Sequence, residues 1–380
     1  MQAFIDDIDK AIKSIIAENR IPGLIVCVRA GDTHEDRILY SKAHGSDALN
    51  VEVAINENNL FHIASQSKTF TSASILWLVE RERLKLTDKL LDLLPVLKQH
   101  PDHSHLVKVT VKHLMEHRAP LAMKNPWPLD EKAPYPSTAD LSGPTLFSFL
   151  DRGSLKNGIG KPGYSNPSYW LLGAIVGKVA RSGNLGSTFS DFVRKTFLDP
   201  HGLTEIHPGL GRAEIENMEN IAQGYYLVRD GTLRPSIKPA FRGCVPAGGF
   251  YGTAEQLSKF YHLLLTPGEI LTENSLDMMK NFSRESPYGM GLSIFGSRLT
   301  EFGMKLSRFG TRITGSASEW FGHEGTFTGC KSRTMHKDGV TISMMMPLGT
   351  LPIADDPDIL CWTPREDPRF PRLPPSSKKR

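Results

Sequence analysis

The chain of 380 residues has four cysteines, Cys27, Cys244, Cys330 and Cys361. They are scattered and none forms a CxxC pair, which argues against a zinc ribbon and a small disulfide scaffold. Cys27 lies in the apolar run LIVCV and reads as a buried thiol. No apolar stretch reaches the roughly 20 residues that a membrane-spanning helix needs. The opening MQAFIDDIDKAIKSIIAENR lacks the basic start, apolar block and small-residue cleavage site of a secretory leader. The expectation is a cytoplasmic protein with no membrane partner. An excess of one charge is missing too. The net charge is +4 and no central segment concentrates bases, so a nucleic-acid partner is not expected. Basic residues gather only in the proline-rich tail 364–380, which reads as an extension beyond the fold. No internal repeat interrupts the chain.

What is present is the composition of a globular protein, 39% hydrophobic and 23% charged. The length suits one large domain or two intimately packed ones. Phe4, Ile5, Ile8, Ile12, Ile15 and Ile16 recur at helical spacing, and Pro22-Gly23 ends that helix. GLIVCVRAG and DRILYSKAHG read as an antiparallel strand pair. A largely buried helix is predicted from near Ser65 to about Arg83. Further helices are predicted in VTVKHLMEH, SYWLLGAIVGKVA, STFSDFVRKTFL and AEQLSKFYHLLL, the last capped by Thr253. Near the end, SEWFGHEG, GCKSRTMH and GVTISMMMPL read as strands. The expected fold is α+β: an antiparallel sheet built from both terminal segments and flanked by helices, with a mostly helical insertion. Residues 1–80 and 285–363 would form the discontinuous sheet domain, 81–284 the helical domain, and 364–380 the tail.

Three short motifs carry chemistry. Ser65 and Lys68 are three apart at a helix start, so their side chains share a face. For Lys68 to take the serine proton it must be neutral part of the time, which burial favours. A helix N-terminus would also supply N–H groups for an oxyanion at Ser65. Tyr164 and Asn166 stand on a Gly/Pro turn before an apolar helix. There a phenol of lowered pKa can serve as acid or base and an amide can bind substrate. His323 is flanked by glycines in FGHEGTFTG, which keeps its imidazole accessible. Each motif has a bland alternative: a chance S-x-x-K, a capping turn, a hairpin with an incidental histidine.

Taken in order, Ser65-x-x-Lys68, Tyr164-x-Asn166 and His323-x-Gly325 resemble the serine β-lactamase and penicillin-binding-protein-like superfamily. They are most similar to its class C-type branch of esterases, D-aminopeptidases and transacylases. The resemblance extends over IPGLIVCVRAG, the segment from Leu60 to Leu90, VTVKHLMEH and VPAGGFYGTAEQLSKF. It implies a serine hydrolase or acyltransferase acting on a small-molecule ester or amide through an acyl-Ser65 intermediate. Lys68 and Tyr164 would move the proton, Asn166, His323 and Gly325 would bind substrate, and the Thr326 N–H would share the oxyanion with that of Ser65. No cofactor or metal is implied. Two departures stand out. His323-Glu324-Gly325 replaces the usual Lys-Thr-Gly, and a largely neutral histidine holds an anion less firmly. That favours a carboxylesterase over a β-lactamase. His117-Arg118-Ala119-Pro120-Leu121 replaces His-Thr-Ser-Gly-Leu, so the cleft edge is expected to be reshaped, and the 118–145 excursion to form part of the pocket.

Two other classes fit parts of the chain. HLMEH, His113 to His117, matches H-x-x-E-H, in which two histidines four apart on a helix bind zinc and Glu116 acts as base. A non-catalytic binding protein could also keep this fold. Within the serine-hydrolase class, a D-amino-acid amidase or aminopeptidase and a transacylase remain alternatives to the esterase.

Overall fold

The computed structural model describes residues 2–19, 21–31, 36–45, 55–119, 121–123, 142, 146–147, 150, 153–154, 158–227, 232–240, 245–295, 319–327 and 329–349. The tail 364–380, Cys244, Cys361 and most of the 118–145 excursion lie outside these residues.

The N-terminal helix α1 (Gln2–Asn19) leads into β1 (Gly23–Ala30) and β2 (Arg37–Gly45), an antiparallel pair as the sequence predicts. Three strands near the end, β11 (Trp320–Phe327), β12 (Cys330–Lys337) and β13 (Val340–Met346), complete a six-stranded antiparallel sheet together with the short β10 (Ser293–Phe295). The order is β10-β11-β12-β13-β1-β2. β1 and β13 are paired directly, with Ile25 opposite Met345 and Cys27 opposite Ser343, so the two ends of the chain share one sheet.

Alternation along β1 explains its unbroken apolar run. Leu24, Val26 and Val28 face a layer in which Ile8, Ile12 and Ile16 of α1 are buried, while Ile25 and Cys27 face the main core. A strand covered on both faces needs no polar side. Each fully buried isoleucine of α1 contributes about 1.5–3 kcal/mol. Asp9 fastens the helix to β2, accepting from Tyr40 Oη at 2.5 Å and Lys42 Nζ at 2.8 Å.

The middle of the chain is mostly helical, with short strands between. Thr110 caps α4 (Val111–Met115), which follows the single turn α3 (Leu90–Leu93). Ser165 caps α5 (Asn166–Ser182), and Thr188 caps α6 (Phe189–Val193). The segment predicted as one helix after Thr188 divides here, α6 running into a π turn at Arg194–Leu198. After α7 (Arg212–Asn217) come the turn α8 (Val245–Gly248) and α9 (Ala254–Leu265), whose Thr253 cap accepts from the Gln256 N–H. A small sheet joins β3 (Phe61–His62), β9 (Phe250–Gly252) and β6 (Ile206–Pro208). These strands of two or three residues carry no readable period, and the sequence did not announce them.

Candidate active site

Helix α2 (Ser67–Glu80) begins two residues later than its pattern suggests, because Ala64–Gln66 forms a 3-10 turn in front of it. Ser65 therefore sits in that turn and not in the helix proper. Ala64 adopts φ +48°, a left-handed conformation that costs a non-glycine residue about 1 kcal/mol or more. Neighbours hold the turn in place. Ser67 Oγ donates to Ala64 O at 2.7 Å and accepts from Phe250 N at 3.1 Å. Ser332 Oγ of β12 donates to Ile63 O at 2.9 Å.

α2 is buried on nearly every side, so its polar residues must find partners within the protein. They do: Thr69 Oγ1 donates to Gly291 O at 2.7 Å, and Thr71 Oγ1 to Pro246 O at 2.7 Å. Lys68 is fully buried. Its Nζ lies 3.1 Å from Ser65 Oγ and 2.5 Å from the carbonyl oxygen of Ala247 in α8. The same nitrogen stands 4.8 Å from the ring centre of Tyr164 and 5.6 Å from that of Tyr169, within cation–π range. The S-x-x-K pair thus closes into one hydrogen-bonded unit.

Tyr164 comes to the same group from the turn before α5, its ring facing Lys68 Nζ and stacked on His117. The residue is 37% exposed. Its pKa moves opposite to the expectation from sequence. Although the residue as a whole is part exposed, desolvation by the groups packed round the phenol pushes the pKa well above 10, Tyr288, Tyr169 and Glu324 reinforce this, and the Ser65 side chain only partly offsets it. At neutral pH Tyr164 is a protonated phenol. Asn166 is buried in the first turn of α5, next to the Ser165 cap.

The third motif lies on β11. β10 pairs only with Trp320 to Gly322, and the turn bearing Ser65 packs against the rest of that strand. Gly325 is required there, since a Cβ would collide with Ile63 O. Alternation puts His323 and Gly325 on the face toward Ile63, and Glu324 on the other, where it pairs with Arg333. His323 is buried, and its Nδ1 lies 2.6 Å from Glu324 O. A carbonyl only accepts, so Nδ1 carries the hydrogen and Nε2 presents a lone pair, with no hydrogen-bond partner among the described residues. Burial, together with the Lys68 charge, lowers the His323 pKa to about 4, so the ring is neutral. Thr326 is exposed on β11, opposite Lys331.

The sequence missed Tyr288 as a neighbour of this group. Its ring centre is 4.9 Å from that of Tyr164 and 6.3 Å from that of His323. No motif singled out the SPYGMG segment that carries Tyr288, although the two glycines that follow it are a turn signal in the sequence. Arg118, at the altered cleft-edge motif, bridges two loops through Gly160 O and Ser283 Oγ, with Glu285 at 3.4 Å.

The H-x-x-E-H reading does not fit. α4 ends at Met115, and His117 follows with φ +56°, so His113 and His117 do not share a helical face. His113 Nδ1 is engaged by the Thr110 cap, and His117 Nδ1 accepts from Ser165 N at 3.0 Å. No cluster of three metal-ligating side chains occurs among the described residues.

Among proteins of known sequence, penicillin-binding protein 4* of Bacillus subtilis (strain 168) is 26% identical over 212 residues. That match covers 55% of this chain and 42% of the relative, so the chain spans under half the relative's length. The fold matches the octameric penicillin-binding protein homologue from Pyrococcus abyssi at a TM-score of 0.68 and 20% identity, over 90% of this chain and 73% of that one. It matches a D-stereospecific amidohydrolase from Streptomyces sp. at 0.68 and 19%, over 89% and 94%. The Beta-lactamase family model itself matches residues 8–348, a span holding all three motifs, and the chain belongs to the beta-lactamase family.

Proposed function

We propose that the protein is a serine hydrolase of carboxylesterase type, acting on a small-molecule ester through an acyl-Ser65 intermediate. One observation carries this reading: Ser65 Oγ lies 3.1 Å from Lys68 Nζ, and the same nitrogen stands 4.8 Å from the ring centre of Tyr164, which brings serine, amine and phenol together. A hydroxyl between an amine and a phenol has a route for its proton in both directions.

In the first step Lys68 in its neutral form, which burial favours, takes the Ser65 proton, and Oγ attacks the carbonyl carbon. The raised pKa of Tyr164 keeps its phenol protonated, so it is not the first acceptor, while it can still donate to an alkoxide, the conjugate base of a weaker acid. The tetrahedral oxyanion accepts from the backbone N–H groups of Ser65 and Thr326. Its collapse breaks the ester C–O bond, and the leaving alkoxide takes a proton from Tyr164, which Lys68 replenishes. Water then attacks the acyl carbon and gives a proton to the same pair, and collapse of the second tetrahedral adduct breaks the acyl–Oγ bond, returns that proton to Ser65 Oγ and releases the acid. Asn166 and His323 orient the substrate. All these steps use side chains and backbone N–H groups of this chain.

Neutral His323 favours an uncharged acyl group over the carboxylate of a penicillin-like substrate. Its buried Nε2 lone pair supports a second reading, amide hydrolysis on a D-amino-acid amide, because a substrate N–H would satisfy it. A panel of p-nitrophenyl esters, D-aminoacyl anilides and nitrocefin separates these. Ser65→Ala should abolish turnover and fluorophosphonate labelling while leaving the circular dichroism spectrum intact. Near-normal turnover by that variant would sink the reading.

A further inference from the structure

His117 is the residue of the H-x-x-E-H stretch that neither a zinc site nor the proton route described above accounts for. It is 2% exposed, in a left-handed conformation, one residue past the C-cap of α4. Three of its contacts fall on consecutive residues of one loop. Its carbonyl accepts from Gly163 N at 2.8 Å. Its Nδ1 accepts from Ser165 N at 3.0 Å. Between those two anchors, its ring stacks on Tyr164 at 4.6 Å with 29° between the planes. The back of the clamp is fixed as well. The His117 ring lies 4.9 Å from that of Tyr169, whose Oη donates to Met115 O at 3.0 Å and sits 3.1 Å from Ser72 Oγ of α2. Tyr288 meets the ring edge-on at 5.7 Å. His117 thus links the tyrosine loop to the helix that carries Lys68.

A phenol held by backbone anchors on both sides and a ring on its face has little freedom left, and aromatic pairs of this kind are worth about 0.5–1.5 kcal/mol. Hydrogen-bond geometry fixes the tautomer: Nδ1 accepts, so the neutral ring carries its hydrogen on Nε2. Protonation of Nδ1 would turn the acceptor toward Ser165 into a second donor and break that anchor. We infer that His117 is a positioning residue, holding Tyr164 against Ser65 and Lys68 by clamping residues 163–165.

The inference rests on Ser65 being the nucleophile, and fluorophosphonate labelling of the wild-type protein at Ser65 checks that separately. Three variants divide the clamp. His117→Ala removes ring and acceptor, His117→Phe keeps a ring without the acceptor, and His117→Gln keeps an acceptor without the ring. His117→Ala should lower kcat and the Ser65 labelling rate roughly 10²-fold, the scale expected of a displaced catalytic group. KM should change little, and the pH profile of kcat/KM should move because Tyr164 and Lys68 titrate together. His117→Phe and His117→Gln should each recover part of the loss. His113→Ala, at the other histidine of the motif, should weaken the cap of α4 and leave kcat near the wild-type value. A folded His117→Ala protein with wild-type labelling rate and pH profile would overturn the inference. If His117→Ala does not fold, wild-type kcat in both His117→Phe and His117→Gln overturns it equally. A wild-type protein that fails to label at Ser65 overturns the reading of the site, and the clamp with it.

Discussion

In the proposed mechanism Lys68 and Tyr164 handle one proton at different moments, so their substitutions should not act alike. Lys68→Ala removes the first acceptor and should lower kcat by about 10² to 10⁴ on every ester. Tyr164→Phe keeps the ring that Lys68 and His117 face and removes only the hydroxyl. If the phenol protonates the leaving group, its loss should be greater on alkyl esters than on p-nitrophenyl esters, whose leaving group departs unprotonated. Measured kcat/KM values on both kinds of ester check this, and equal losses would remove Tyr164 from that step. At this scale the nearness of Ser65 and Lys68 was legible from their spacing, whereas their reading as a site needed Tyr164-x-Asn166 and His323-x-Gly325 beside them. The left-handed Ala64 was not, because it depends on Ser67, Phe250 and Ser332, which lie far apart in sequence. His117 misled, since the pattern assumes a helix that in fact stops at Met115.

Among the elements, α5 and α8 approach so closely that a Cβ on Gly173 would collide with the Pro246 ring. α8 also supplies the Ala247 carbonyl that receives Lys68. Gly173→Ala should therefore do two things. Overpacking should cost about 1–3 kcal/mol, read as a lower Tm. Displacement of α8 should also lower kcat in the protein that remains folded. An unchanged Tm would mean that the two helices separate freely. The long elements were readable because their periods ran through several turns or pleats: α1, α9 and β11 to β13 all stand where the pattern puts them. β3, β6, β9 and β10 were not, since two or three residues cannot display a period. Their position is set by what lies beside them.

The molecule as a whole buries several neutral histidines. Burial lowers the pKa of His62 to about 3, of His323 to about 4 and of His336 to about 3. Above pH 6.5 these rings are neutral whether the chain is folded or not, and they impose no penalty. Below 6.5 the unfolded chain binds protons that the folded one refuses. Each histidine then removes about 1.4 kcal/mol of stability per pH unit, down to its folded pKa. Thermal unfolding between pH 7 and pH 5 should show a steadily falling Tm, and a flat profile would contradict the neutral burial of these rings. The shared sheet was legible from strands at both ends of the chain. The direct pairing of β1 with β13, and the division of β1 between two apolar layers, were not, because register depends on partners hundreds of residues away.

That pairing has a consequence for how the protein comes into being. Ser65 and Lys68 leave the ribosome early, but Ser332, whose hydroxyl holds the turn beside Ser65, follows more than 260 residues later. Until β11 to β13 have been made, β1 exposes an apolar edge and the turn bearing Ser65 lacks its brace. A nascent chain halted before position 319 should therefore carry the complete S-x-x-K motif and no activity. It should also be prone to aggregate through the open edge of β1. On that prediction, synthesis would withhold the turn bearing Ser65 until nearly the whole sheet is ready to receive it.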